Sequence, residues 1–215
     1  MRRAILLTAV LSATCYAQDW NFTSGISTVF YPKTQDNLWW DAPYNNIHTE
    51  RNFGIMLGGI TKVSPHWNFK LGYFQPQTHY VNAQVPADTT TPPYYCLQNC
   101  GALGSINVKT RMRGMYFLAS PEYGDTWKVY ADLGGWVFHQ TVEAYALNIP
   151  RPDGSAYGWH VSSSANSVRP VFGLGVKYKS ISVSLAKFNC GTAGGDALPA
   201  GFASPIKVLT ISKEW

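Results

Sequence analysis

Residues 127–140 read Trp-Lys-Val-Tyr-Ala-Asp-Leu-Gly-Gly-Trp-Val-Phe-His-Gln, and their alternation decides the fold. Val129, Ala131, Leu133 and Val137 fall on one side of an extended chain, and Lys128, Tyr130, Asp132 and Gln140 on the other. Successive side chains of a strand point to opposite faces, so a period of two marks a strand with one apolar and one polar face. The same pattern gives eight expected strands, over 20–31, 51–63, 67–78, 105–119, 127–140, 168–178, 181–189 and 205–215. In the fourth, Ile106, Val108, Thr110, Met112, Tyr116 and Leu118 are assigned to the apolar face. Asn107, Lys109, Arg111 and Arg113 take the other. In the sixth, Phe172, Leu174, Val176 and Tyr178 oppose Arg169, Gly173, Gly175 and Lys177.

A soluble sandwich alternates as well, and the connections separate the two readings. The gaps 32–50, 64–66, 79–104, 120–126, 141–167, 179–180 and 190–204 run long, short, long, short. Transmembrane barrels have this asymmetry, with short periplasmic turns, long extracellular loops and an even strand number. Hydrocarbon also demands closure, because every backbone N–H and C=O inside it needs a partner. The expected fold is an all-β, eight-stranded, antiparallel up-and-down transmembrane barrel.

Composition agrees. Of 215 residues, 46% are hydrophobic and 14% aromatic, but only 13% are charged, against about 25% in a soluble domain. This excludes a disordered charged chain and argues against an ordinary cytosolic enzyme. No apolar run after residue 17 reaches the roughly 20 residues of a membrane helix, and the mean hydropathy is -0.12. Met1-Arg2-Arg3, the apolar Ala4 to Leu11 and the small residues of Cys15-Tyr16-Ala17 have the layout of an export leader. Residues 1–17 are therefore expected to be a signal peptide and 18–215 one barrel domain. Ser12 stands where a lipoprotein signal wants a Leu-like residue, which disfavours lipidation at Cys15. Losing Arg2 and Arg3 lowers the formal charge of +5 by two, too little excess to point to nucleic acid.

Trp20, Trp67, Trp127, Tyr178 and Trp215 all fall at strand ends on the short-turn side, on their strands' apolar parity. Indole and phenol rings favour a membrane interface, so these five are the expected aromatic girdle. Gly25, Gly54, Gly58, Gly72, Gly134, Gly173 and Gly175 fall on the inward parity and leave room for large lumenal partners such as Tyr130 and Trp136. An exported chain meets oxidising conditions. Cys96 and Cys100 are spaced to close a small ring in one loop, and with Cys190 the three thiols allow three pairings. No fourth ligand at metal spacing accompanies them, so no metal and no cofactor is expected.

The strands Val129-Tyr130-Ala131-Asp132-Leu133-Gly134-Gly135 and Phe172-Gly173-Leu174-Gly175-Val176-Lys177-Tyr178, with the closing strand ending at Trp215, resemble the small eight-stranded outer-membrane barrels of the OmpA/OmpX type. The likeness spans essentially the whole mature chain. It implies a Gram-negative outer membrane, a monomer surrounded by lipid and lipopolysaccharide, and recognition of the last strand by the barrel-assembly machinery. Lys213 departs from that pattern, since an apolar or aromatic residue is usual there. The chain stopping at Trp215 implies that no peptidoglycan-binding domain follows.

Lys62, Lys70, Lys109, Arg111, Arg113, Asp132, Arg169, Lys177 and Glu214 are expected to face the lumen, because Arg or Lys facing lipid at the midplane costs about 2–4 kcal/mol. Among them Lys109, Arg111, Arg113, Asp132 and Lys177 form the expected polar network, with an Arg113–Asp132 ion pair. Three functions remain. The first is a structural or adhesin-like role, with loops 79–104 and 141–167 meeting a host or cell-surface ligand through Pro92-Pro93-Tyr94-Tyr95, Tyr157 and Trp159. The second is lipid A chemistry by a loop His/Ser pair, with His160 and Ser162, His139 or His79 as bases or nucleophiles and Glu143 or Asp153 as orienting acids. His160-Val161-Ser162-Ser163 lacks the Asn and Gly context of lipid A deacylases. The third is a narrow anion pathway, set against interiors of this size being filled by side chains.

Overall fold

A computed structural model describes residues 19–31, 47–48, 51–85, 104–150, 154–190 and 205–215. The strands are β1 (Trp20–Phe30), β2 (Ile47–His48), β3 (Arg51–Ser64), β4 (Trp67–Pro76), β5 (His79–Val85), β6 (Gly104–Tyr123), β7 (Trp127–Pro150), β8 (Ala156–Tyr178), β9 (Ile181–Phe188) and β10 (Ile206–Glu214). Neighbours run antiparallel in the order β6-β4-β3-β1-β10-β9-β8-β7, and β7 pairs again with β6. Eight strands therefore close into a barrel, sealed between first and last strand by the β1–β10 ladder from Thr23↔Glu214 to Phe30↔Lys207. β5 continues β4 along the far part of β6, and β2 adds beside β5.

At one end the links are tight. Residues 65–66, 124–126 and 179–180 suffice to reverse the chain. Lys179 at φ 53° and Gly124 at φ 111° take the left-handed backbone that such hairpins need. The opposite end differs from the expected connections. Of the loop expected over 141–167, residues 141–150 and 156–167 are strand: β7 and β8 stay paired from Trp127↔Tyr178 to Pro150↔Ala156. Residues 79–85 of the other expected loop form β5. Residues 162–167, Ser-Ser-Ser-Ala-Asn-Ser, lack the apolar contrast by which a membrane strand announces itself. The expected leader (1–17) and Cys96 and Cys100 lie outside the described residues.

The outer wall is apolar. Leu133, Val176 and Ile211 are 44, 42 and 59% exposed, which excludes two sheets stacked over a dry middle. Ile26, Ile55, Leu71, Phe117, Val129, Leu174 and Val183 join them in a continuous exposed band. Only hydrocarbon covers such a surface favourably.

β6 corrects the sequence reading. Val108, Thr110, Met112, Tyr116 and Leu118 are buried inside the barrel, whereas Met115 and Phe117 face lipid. Lys109, Arg111 and Arg113, on the same parity as Met115, point outward. The expectation failed because it equated the more apolar face with the lipid face. In an eight-stranded barrel the lumen is itself a packed core, so both faces of β6 are apolar between Met115 and Leu118.

Glycines on the inward parity accommodate the large lumenal rings. Gly72 lies directly across from Tyr116 in the β4–β6 register; a Cβ there would meet the Tyr116 hydroxyl and the Leu57 carbonyl. Gly175 stands in the same relation to Tyr130. Gly72→Val is expected to destabilise the barrel by about 1–3 kcal/mol through overpacking. A double-mutant cycle of urea midpoints with Tyr116→Ala checks it. The two costs should be clearly less than additive, and strict additivity would mean that the ring and the glycine do not contend for one space.

Candidate functional site

The lumen has two halves of opposite chemistry. Toward the short-turn end, three lysine–carboxylate pairs share the interior. Lys70 Nζ donates to Asp132 Oδ1 at 2.8 Å, and the Ser120 hydroxyl donates to the same oxygen. Lys70 also lies 3.9 Å above the Tyr130 ring. Lys128 pairs with Glu122 at 2.7 Å, and Lys177 pairs with Glu214, which also accepts from Asn21 Nδ2 at 2.8 Å. Ser182 and Ser212 share a hydrogen bond of 2.7 Å. Lys70, Asp132, Glu122, Lys177 and Glu214 line an internal cavity with about 70 Å³ of room for water. One water needs roughly 10–15 Å³ on that measure, so the space holds a few molecules and no larger ligand. Three cations face three acids, leaving little net field with which to attract an anion.

The other half is a dry plug. Val29, Phe74, Trp136, Phe138, Val171, Phe188, Ile206 and Val208 are each at most 2% exposed. Trp136 stacks on Phe138 at 3.9 Å between centroids, meets Phe188 edge-on at 5.2 Å and leans on Phe74 at 6.0 Å. Its indole N–H donates to the Asn189 carbonyl at 2.8 Å. Among the described residues Cys190 is a free thiol, buried in this cluster. An ion crossing here would shed its hydration with no replacement. The narrow anion pathway, weighed above as the third reading, would have to cross these apolar rings.

Of the five residues expected in the lumenal network, Asp132 and Lys177 face the interior. Lys109, Arg111 and Arg113 do not. Lys109 sits 5.8 Å from the exposed Tyr80 ring and Arg111 lies 3.6 Å from Glu143. Arg113 stands opposite His139 rather than Asp132; the partner of Asp132 is Lys70. The penalty that placed these cations inside applies near the midplane, and they lie beyond the apolar band. Ser120 and Glu122, read as turn residues, belong to β6. They continue the inward parity of Tyr116 and Leu118, the one signal in the sequence that points to them.

Trp20, Trp67, Trp127, Tyr178 and Trp215 all point outward at the short-turn end, between 37 and 64% exposed. Trp127 and Tyr178 pair at 4.6 Å, and Lys213 Nζ lies 3.4 Å over the Trp215 ring. Tyr123, 79% exposed, extends the ring.

The groups weighed for the alternative of lipid A chemistry do not converge among the described residues. His139 Nδ1 is 2.9 Å from Asn166 Oδ1 and its Nε2 is 3.3 Å from the Thr141 hydroxyl. His79 is buried and stacked on Tyr31 at 3.9 Å. His160 and Ser162 are exposed on the projecting β7–β8 hairpin, opposite Tyr145 and Glu143. Among the described residues no hydrogen bond joins His160 to Ser162, and Glu143 is turned to Arg111. Asp153 and the Pro92–Tyr95 stretch lie outside the described residues. No group of three His, Cys, Asp or Glu side chains that could hold a metal occurs among the described residues.

No protein-family model and no curated protein sequence matches the chain. Among solved structures it is similar to Ail, the attachment invasion locus protein of Yersinia pestis, at 8% identity and TM-score 0.44, covering 91% of this chain and 97% of that one. It is also similar to CarO of Acinetobacter baumannii, at 10% identity and TM-score 0.40 over 89% and 97%. The N-terminal β-barrel domain of Pseudomonas aeruginosa OprF follows at 10% and 0.35 over 92% and 98%. The closed strand register, rather than these distant likenesses, establishes the eight-stranded barrel.

Proposed function

We propose that the chain is exported with residues 1–17 as its leader and resides in a Gram-negative outer membrane. Its short turns then face the periplasm and its long end the exterior. Its role there is display, not transport or catalysis. A single observation carries this reading: the lumen is closed by the Phe74–Trp136–Phe188 plug while β7 and β8 run on as a paired hairpin beyond the apolar band. Strands of 24 and 23 residues are twice the 9–11 that a bilayer needs, so about half of each stands in water. A rigid, paired hairpin with exposed Tyr145, Leu147 and Val161 presents side chains to a surface partner at little entropic cost. The monomer needs no cofactor for this, and the assembly machinery would read β10.

The reading is tested by replacing residues 142–163 with Asn-Gly, which joins Thr141 to Ser164 in register. In detergent both proteins should migrate faster unboiled than boiled, as folded barrels do. Whole cells carrying the short form should lose binding to the host or neighbouring cells that the full form binds. Unchanged binding would remove the hairpin from recognition, and a protein that partitions away from membranes would remove the barrel from the membrane.

A further inference from the structure

The outer wall changes character at one level. Going toward the long end, outward positions pass from Met115 to Arg113, from Val137 to His139, from Leu185 to Lys187 and from Leu209 to Lys207. The change is thus toward a cation on three strands and toward histidine on the fourth. Lys187 and Lys207 are register partners on adjacent antiparallel strands, both exposed on the outward face. Their row is flanked by Phe30 of β1 and Phe172 of β8. Like charges directly opposite each other on a sheet repel. Among the described residues no carboxylate lies on that face beside them, since Glu143, the outward acid, is on the β6–β7 wall with Arg111.

Two exposed lysines paired in register at the top of an apolar wall suit an anion that carries more than one charge and a hydrocarbon tail. We propose that Lys187 and Lys207 form a binding site on the barrel's outer wall for a phosphate group of an outer-leaflet lipid headgroup, with Phe30 and Phe172 against its acyl chains. This rests on the outer-membrane orientation proposed above. The site is built for a lipid and not for free phosphate: the lysines stand at the hydrocarbon boundary, where a soluble ion gains nothing from the neighbouring rings, while a headgroup phosphate is already held at that depth. Each basic side chain near an anionic surface contributes on the order of 1 kcal/mol, so the pair is worth about thirtyfold in affinity.

Native mass spectrometry of the detergent-folded full chain tests it, titrated with bisphosphorylated lipid A, with the dephosphorylated lipid and with inorganic phosphate. Wild type should retain the bisphosphorylated lipid, and Lys187→Gln/Lys207→Gln should bind it about thirtyfold more weakly. Lys213→Gln, at the other rim, should match wild type. The dephosphorylated lipid should bind wild type no better than the bisphosphorylated lipid binds the double variant, and inorganic phosphate should not compete. Equal retention by the folded double variant, or by the dephosphorylated lipid, would overturn the site, as would competition by inorganic phosphate. Heat-shift gels run in parallel separate the two levels of failure: a wild type that never folds in detergent or lipid overturns the membrane reading and the site together.

Discussion

Asp132→Ala is expected to lower the unfolding free energy by about 3–5 kcal/mol, the range for removing one partner of a buried ion pair. The Asp132 side chain is 7% exposed and that of Lys70 19%. Alanine would strand the Lys70 ammonium in the lumen and leave the Ser120 hydroxyl without its acceptor. Lys70 has little else to turn to, because the other two carboxylates are engaged by Lys128 and Lys177. Asp132→Asn should cost less, since an amide oxygen still accepts from Ser120. Lys70→Met/Asp132→Leu should recover most of the loss, because apolar groups of similar shape often replace a buried pair at little cost. Guanidinium unfolding in lipid vesicles, followed by tryptophan fluorescence, reads all three. A loss below about 1 kcal/mol for Asp132→Ala would place the pair in the range of solvated surface bridges and make the lower lumen far wetter than its geometry implies.

Trp136→Ala is the second large effect, expected at about 3–5 kcal/mol as for other fully buried large-to-small changes. Trp136 is 0% exposed and touches three aromatic partners, so its removal opens a cavity that neighbouring strands are not free to close. Hydrogen bonding around the ring holds the wall at fixed circumference. Trp136→Phe should cost less, retaining the stack on Phe138 but losing the N–H bond to Asn189. The same plug is what seals the lumen. In planar bilayers wild type should show no steady ion current, and Phe74→Ala/Trp136→Ala should introduce one. A wild-type current that survives with the plug intact would mean that ions pass where the rings now stand.

The sequence was legible where the two faces of a strand meet different solvents. In 127–133, one parity meets lipid and the other meets the lumenal ion pairs, so Leu133 and Asp132 fall where alternation puts them. The failure on β6 is equally physical. There Met115 and Phe117 meet acyl chains while Tyr116 and Leu118 meet packed lumenal rings, and hydropathy does not separate one oily environment from the other. Beyond the band the difficulty reverses: the Ser-Ser-Ser-Ala-Asn-Ser run of β8 offers no large apolar side chain on either face, so it reads as loop.

Alternation, tight turns and rim aromatics determined by themselves that this chain forms a closed eight-stranded barrel in a bilayer, because local geometry forces successive side chains to opposite faces and lipid forbids an unpaired edge. Only the tertiary structure decided which face of β6 looks inward, which lysine Asp132 holds, and that the lumen is plugged above and charged below. Those outcomes depend on register and stagger around the ring, set by contacts between strands tens of residues apart, and no single strand carries that information.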